Sequence, residues 1–500
     1  MTELNTAPQP MADQPPHASD LSKKVSRAAR WSLINTIVLR VGSFVIGIIL
    51  ARFFFGPHDF GLYAVGLVVL AVLLSVNEMG VSLAMVRWEG DPRRFAPTVL
   101  TLATGSSLFL YLLLFFTAPS VADLLGAPEA TTMLRMLCFC LVIDGIACVP
   151  IGVLNREFKQ GRRAIVDLAN VVVSTTVTIS LAVAGVGAIA FAWGSLAGNV
   201  TAVIGFSIAA PGYLKFGWNS RQARELIRFG LPLAGASLLT LGVLNVDSAV
   251  AGGVLGPVAL GLYQMAFNIS GWPVRLVSET ARRVSFAGFS RLAESPQQFG
   301  AGFNRAMTLL VSAAMPLCVV LGVLAEPLIR LAYGAQWLPA ATALQFLVVL
   351  GLLRVAYELA YDCLAASSRR ALMAVQGLWL IGLVPVLLIL AHPYGIEGVA
   401  AGQLVVAVFV VAPALLKALS GVGIGPGSVL RAWMWPSVGG AVMTAVALVL
   451  HRFTGDSLLA VLVTAAVATA AYAPFVLPVL RAVRAGNPDP ERLALATPIA

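Results

Sequence analysis

The sequence predicts an all-α polytopic membrane protein of about fourteen transmembrane helices: two six-helix lobes followed by two C-terminal helices. Three observations carry that prediction. Hydrophobic residues make up 59% and charged residues only 11% of the 500 positions, with a mean hydropathy of +0.88, a balance no water-exposed globular surface sustains. The apolar residues are gathered in runs of about 20, the length a helix needs to cross a hydrocarbon core of about 30 Å, and no alternating barrel pattern accompanies them. Finally, Phe55–Tyr63, FGPHDFGLY, returns at Leu255–Tyr263 as LGPVALGLY, each copy between two long apolar runs, which marks a duplicated bundle.

The first half is expected to span at 31–52, 60–85, 96–117, 131–154, 164–184 and 187–210. The first span follows Lys23, Lys24, Arg27 and Arg30 and has no small-residue cleavage site behind it, so it reads as retained rather than as a signal peptide. Its turn into the second is the first GP-x-x-x-GLY copy, whose Gly and Pro suit a tight helix connection. Basic clusters close the second span at Arg93 and Arg94 and the fourth at Arg156 to Arg163. Only Gly185 and Gly187 divide the fifth span from the sixth.

The second half is expected to span at 229–252, 258–281, 304–326, 340–364, 371–391 and 395–416, followed by 432–450 and 457–480. Its first two spans meet at the second GP turn, and its last two meet at Gly395, where GIEGVAAG echoes the GVGAIAFA that begins at Gly185. Six helices per half give both halves the same orientation, so a pseudo-two-fold axis along the membrane normal is expected. The chain thus divides into a disordered and basic N-terminus (1–30), an N-lobe (31–210), a linker (211–228), a C-lobe (229–416), helices 13 and 14 (417–482) and a tail (483–500). Lys23 to Arg30 suits a basic helix on an anionic membrane surface.

Charge sets the expected orientation. Of the 33 Lys and Arg, Arg40, Arg275 and Arg354 lie inside spans and Arg52, Arg135, Arg330 and Arg452 at one set of ends; the rest share the opposite side. That side is cytoplasmic by the positive-inside rule, and both termini fall on it. The net charge of +10 is therefore mainly a topology signal, and short dispersed basic loops argue against nucleic acid as a partner. Cys138, Cys140, Cys148, Cys318 and Cys363 all sit inside spans and read as small buried apolar residues. His17, His58, His392 and His451 are scattered, and there is no Walker-type glycine loop; no metal, cofactor or direct ATP drive is expected.

Three stretches resemble a known family. They are ARFFFGPHDFGLYAVGLVVLAVLLSVNEMGVSLAMVR at Ala51 to Arg87, NREFKQGRR at Asn155 to Arg163, and NVDSAVAGGVLGPVALGLYQMAF at Asn245 to Phe267, which continues into SGWPVRLVSETARRVSFAGFSRL. Over roughly residues 25 to 420 the chain is similar to the polysaccharide transporter branch, with the Wzx-type flippases, of the multidrug/oligosaccharidyl-lipid/polysaccharide flippase superfamily. The resemblance implies a bacterial inner-membrane transporter that moves a lipid-linked oligosaccharide on a polyprenyl diphosphate to the outer leaflet by alternating access, serving exopolysaccharide, capsule or lipopolysaccharide synthesis. Membrane lipids, a polysaccharide polymerase or export machinery, and a coupling proton or sodium ion are the partners it suggests.

Ionisable groups inside spans are costly, so these few are the candidate site. On the eighth helix Gln264, Asn268, Trp272 and Arg275 follow a helical spacing and share one face. Amides suit sugar hydroxyls, Trp272 a sugar ring and Arg275 a phosphate; the competing reading is a helix–helix contact with Arg275 snorkelling outward. On the tenth helix Arg354, Glu358 and Asp362 line another face. Either Arg354 contacts an anion while a carboxylate holds a proton or sodium ion, or Arg354 and Glu358 neutralise each other. Arg40, without an acid within a turn on its own helix, is the strongest single anion contact. Asp144 and Asp247 are further coupling or gate candidates, with a cross-lobe Asp247–Arg40 pair as one gate. Glu78 and Asp167 lie nearer the cytoplasmic ends and read as hydrated boundary groups.

Rival classes are weaker. A membrane glycan polymerase or ligase would carry a large outer loop with reactive side chains, whereas the longest here is about Glu326 to Pro339. Efflux of small cationic drugs by a related branch would favour acids over three deep arginines. No enzyme activity is expected.

Overall fold

The computed structural model describes residues 38–78, 91–157, 159–277 and 296–484. The expectations for the N-terminal region through residue 37, for the basic loop Arg282 to Arg291 and for the tail beyond 484 lie outside the described residues. Among those described the regular structure is helical throughout, with no strand.

The first half contains α1 (38–53), α2 (Pro57–Glu78), α3 (Pro92–Leu124), a 3-10 turn (Pro128–Ala130), α4 (Thr131–Cys138), α5 (Cys140–Arg156), α6 (Gln160–Val183) and α7 (Ile189–Ala209). The second contains α8 (Ser220–Ser270), α9 (Pro296–Val323), α10 (Ala325–Ala332), a 3-10 turn (Ala335–Trp337), α11 (Ala340–Ser367) and α12 (Arg369–Val406). A π turn (Ala407–Val411), α13 (Ala412–Ser420), α14 (Pro426–Thr454) and α15 (Leu458–Arg484) complete the described chain.

Eleven segments among the described residues are long and apolar enough to cross a membrane. Two of them hide a break. α8 is interrupted at Gly256 (φ 84°, ψ 179°) and α12 at Gly395 (φ 58°, ψ −140°), conformations that side chains with a Cβ rarely adopt. Splitting both, and adding α1, restores the fourteen crossings the hydropathy predicts. Gly185 and Gly187, with φ of 76° and 73°, likewise separate α6 from α7, so the break expected in that nearly continuous apolar tract is present, and Gly395 repeats it in the second half.

Three local features differ from expectation. The seventh helix starts at Ser220, not near residue 229, because the Asn219 side chain accepts from the Arg221 and Gln222 amides at 3.1 and 3.3 Å and caps it; the linker is correspondingly short. The fourth crossing is interrupted at Phe139, between α4 and α5. The segment Glu326 to Pro339, expected as an outer loop, is no open loop: it folds into α10 and a 3-10 turn, and Trp337 is fully buried.

The two lobes meet chiefly along α2 and α8, while α11 and α12 pack on α8 within the second lobe. α14 and α15 lean on α9, where Tyr472 donates to the Ser312 carbonyl at 3.2 Å and Gly440 admits the Met315 side chain. Large apolar residues such as Phe116, Ile208, Ile381 and Phe409 are exposed; against acyl chains such surface carries no penalty.

Candidate functional site

Among the described residues a buried polar cluster joins α8, α11 and α12 in the second lobe. Asp247 is completely buried. Tyr263, on the far side of the Gly256 break, donates its hydroxyl to Asp247 Oδ2 at 2.7 Å, and Gln403 Nε2 donates to the same oxygen. The Ser248 amide supplies Oδ1 at 2.8 Å. The break is what allows this: it turns α8 back so that Asp247 and Tyr263, both on that element, face each other.

Gln403 also points outward from the carboxylate, its Oε1 accepting from Arg354 Nη2 at 3.0 Å. The Arg354 guanidinium lies over the Phe267 ring at 4.6 Å, a favourable cation–π geometry. Arg354 and Asp247 are thus opposite charges bridged by one amide. Lone buried charges are prohibitive; here a glutamine and a tyrosine distribute the pair over three helices. Ser248 Oγ extends the network to Gln264 Oε1 at 3.2 Å, and Tyr357 ties α11 to the π turn after α12 by donating to the Ala407 carbonyl at 2.7 Å.

The expected residues fall into two groups. Asp247, Gln264 and Arg354 join this network, although Asp247 bonds within its own lobe and not to Arg40 across the lobes, because Tyr263, Gln403 and Ser248 already surround it with donors. Arg354 likewise turns toward Gln403 and Phe267, not onto its helix neighbour Glu358. Beyond them on the same lobe, Asn268 and Arg275 are exposed and linked through Arg275 Nη2 to the Asn268 carbonyl at 3.3 Å. Trp272 packs against Phe44 of α1 at 4.1 Å between ring centroids, a contact between the lobes. Glu358 is half-buried and Asp362 buried on α11; Arg40 is exposed on α1 and Asp144 half-buried on α5. Asp167 sits 3.6 Å from Arg163 on α6. The five cysteines are free thiols, four of them buried.

Tyr263, Ser248, Phe267 and Gln403 were not expected in the site. Tyr263 belongs to the repeated GP-x-x-x-GLY turn, which reads as pure scaffold from sequence. Gln403 carried a usable signal: it is an amide inside an apolar span, and such groups are rare and usually partnered.

A family model described as polysaccharide biosynthesis protein matches residues 49–342. The chain belongs to that family. Among curated relatives of this family member, the lipopolysaccharide biosynthesis protein WzxC of Escherichia coli (strain K12) is 23% identical over 341 residues, covering 67% of this chain and 68% of that protein. The succinoglycan biosynthesis transport protein ExoT of Rhizobium meliloti (strain 1021) is 24% identical over 316 residues, covering 63% of this chain and 64% of ExoT. Among solved structures, the lipid II flippase MurJ in an inward closed conformation superimposes with a TM-score of 0.73 at 16% identity, over 91% of this chain and 99% of MurJ. That likeness establishes the two-lobed fold. The family match ends before Arg354 and Gln403, so in this polysaccharide-biosynthesis protein the α8 side of the network lies inside the matched region and the α11–α12 side beyond it.

Proposed function

We propose that this protein flips an anionic lipid-linked oligosaccharide, carried on a polyprenyl diphosphate, from the cytoplasmic to the outer leaflet of a bacterial inner membrane by alternating access of its two lobes. It translocates the cargo without changing it covalently, in support of exopolysaccharide, capsule or lipopolysaccharide assembly, with both termini in the cytoplasm. The observation that carries the reading is Arg354. Its guanidinium is held on Phe267 and by Gln403 deep in the membrane-spanning body, and a planar multi-donor cation is suited to a phosphate. Family membership and the flippase fold support the same class of cargo.

In this reading Arg354, Arg275 and Arg40 contact the diphosphate, Gln264 and Asn268 the sugar hydroxyls, and Trp272 a sugar ring. Asp247, bridged to Arg354 through Gln403, supplies the coupling: a phosphate drawing Arg354 away removes the compensation of the buried carboxylate, which a proton or sodium ion then restores. Asp144, Glu358 and Asp362 are the alternative coupling or gate groups. A polysaccharide polymerase or export complex is the partner that would receive the delivered glycan.

The test is leaflet transfer in proteoliposomes with a fluorescent polyprenyl-diphosphate glycan, with and without imposed proton or sodium gradients. Transfer above empty liposomes that falls in Arg354→Gln supports the reading. Transfer no faster than in empty liposomes under every gradient, by protein that is folded and inserted, rejects it.

A further inference from the structure

The repeated GP-x-x-x-GLY turns do more than join helices. An added Cβ on Gly61 would fall 1.7 Å from the Pro257 carbonyl oxygen, and one on Gly261 would fall 1.9 Å from the Pro57 carbonyl oxygen. Each turn therefore seats its proline carbonyl on the glycine of the other lobe, a reciprocal contact that only a two-fold arrangement produces. Backbones this close leave room for hydrogen alone at both positions.

A second pair of contacts flanks the first and is also related by the duplication. Gly126 and Gly334 both have positive φ, 68° and 100°, and each precedes a 3-10 turn and the next helix. The Gly126 corner meets α8 backbone to backbone: its added Cβ would lie 2.4 Å from the Gly252 carbonyl oxygen, and that of Gly253 2.9 Å from Leu124 O. The Gly334 corner meets α1 through side chains instead. Gln336 Nε2 and Trp337 Nε1 donate to the Ala51 carbonyl at 3.0 and 3.1 Å, and Arg52 Nη1 donates to the Arg330 and Leu331 carbonyls at 3.3 and 2.5 Å. All four contacts lie at the GP-turn end of the bundle.

We propose that these contacts form a seal between the lobes at the GP-turn end, with Gly61 and Gly261 as its interlock and Ala51, Arg52, Gln336 and Trp337 as its hydrogen-bonded latch. The described arrangement is the sealed state; opening toward that end requires the two turns to part and the latch bonds to break. Calling this end the outer gate rests on the transport reading above, but the seal itself does not, and it can be measured without any cargo.

The experiment is a double electron–electron resonance distance between nitroxides on cysteines placed at Phe116 of α3 and Phe453 of α14, both exposed and outside the seal. The parent chain with its native, largely buried thiols serves as the labelling control. The otherwise unaltered protein is expected to give one dominant distance. Gly61→Val and Gly261→Val are each expected to move the major population to longer distance. Gly105→Val on α3, where an added Cβ meets nothing within 4 Å, is expected to leave it in place. A Gly61→Val or Gly261→Val protein that elutes as a monodisperse folded species with the original distribution overturns the proposal. If neither valine variant folds, Trp337→Phe combined with Gln336→Leu decides: it removes the bonds to Ala51 while keeping the packing, a shift in the same direction supports the seal, and an unchanged distribution overturns it. Absence of transfer by the unaltered protein, with the distances behaving as expected, would count against the cargo assignment alone.

Discussion

Tyr63 and Tyr263 hold the same place in the two copies of the repeated turn, yet their surroundings have diverged completely. In the first lobe Tyr63 stacks on Phe191 with ring centroids 4.5 Å apart and planes 14° apart, and Phe55 and Phe60 gather on the same ring at 4.4 and 5.3 Å. In the second lobe Tyr263 donates to Asp247, within a network that reaches Arg354 through Gln403. By register Gly47 stands where Asp247 stands, and Trp193 where Gln403 does. One frame supports an aromatic structural core in one lobe and a compensated charge pair in the other. Duplication conserves what backbone geometry demands, and the lobes are free to differ wherever only side chains are involved.

The largest effect is expected from Asp247→Ala. It leaves Arg354 without its compensating charge and Tyr263 and Gln403 without their acceptor, and should cost about 3–5 kcal/mol of stability, read from the denaturant or thermal transition in detergent. Gly47→Ala, at the matching register and with nothing within 4 Å of the added methyl, should change stability by under about 0.5 kcal/mol. Equal effects at the two positions would contradict the asymmetry.

Arg354→Gln should reduce leaflet transfer of the anionic cargo by about 30-fold or more, corresponding to about 2 kcal/mol or more for truncating one partner of a buried charged contact, while membrane levels stay normal. Unchanged transfer would remove Arg354 from the site. Tyr263→Phe should cost about 1.5–3 kcal/mol, as expected for a hydrogen bond to a charged group, and clearly more than Tyr63→Phe, which keeps the ring stack on Phe191. A smaller loss is expected from Tyr357→Phe, about 1 kcal/mol for one neutral bond to the Ala407 carbonyl, with transport retained.

Much of the frame was legible in the residues. Hydropathy placed the crossings, and Gly185, Gly187 and Gly395 announced breaks inside long apolar tracts, because a positive φ is a local demand that glycine meets locally. The start of α8 at Ser220 was missed because the Arg-rich run from Arg221 to Arg228 reads as a surface loop, although Asn219 is an ordinary helix cap. The fold of 325–337 was missed for a different reason. Its burial depends on Trp337 reaching the Ala51 carbonyl in the other lobe, a contact invisible to any window along the chain.

The candidate site divides the same way. Asp247, Gln264 and Arg354 stood out from sequence because intramembrane polar groups are expensive, but their partners did not. Helical spacing favoured Arg354 with Glu358, and charge alone favoured Asp247 with Arg40. The fold chose Gln403 for both Asp247 and Arg354.

By itself, then, the sequence determined a membrane-spanning, duplicated, all-helical chain with its turns at Gly56-Pro57 and Gly256-Pro257, since transfer of apolar residues into lipid and backbone sterics act over a few neighbouring residues. Only the tertiary structure decided that Tyr263 serves a carboxylate while Tyr63 serves an aromatic stack, and that Gly61 and Gly261 interlock the lobes. Hydrogen-bond partners and sub-van der Waals clearances depend on where distant helices come to rest: Asp247 and Gln403 are separated by 156 positions, and no local pattern encodes their meeting.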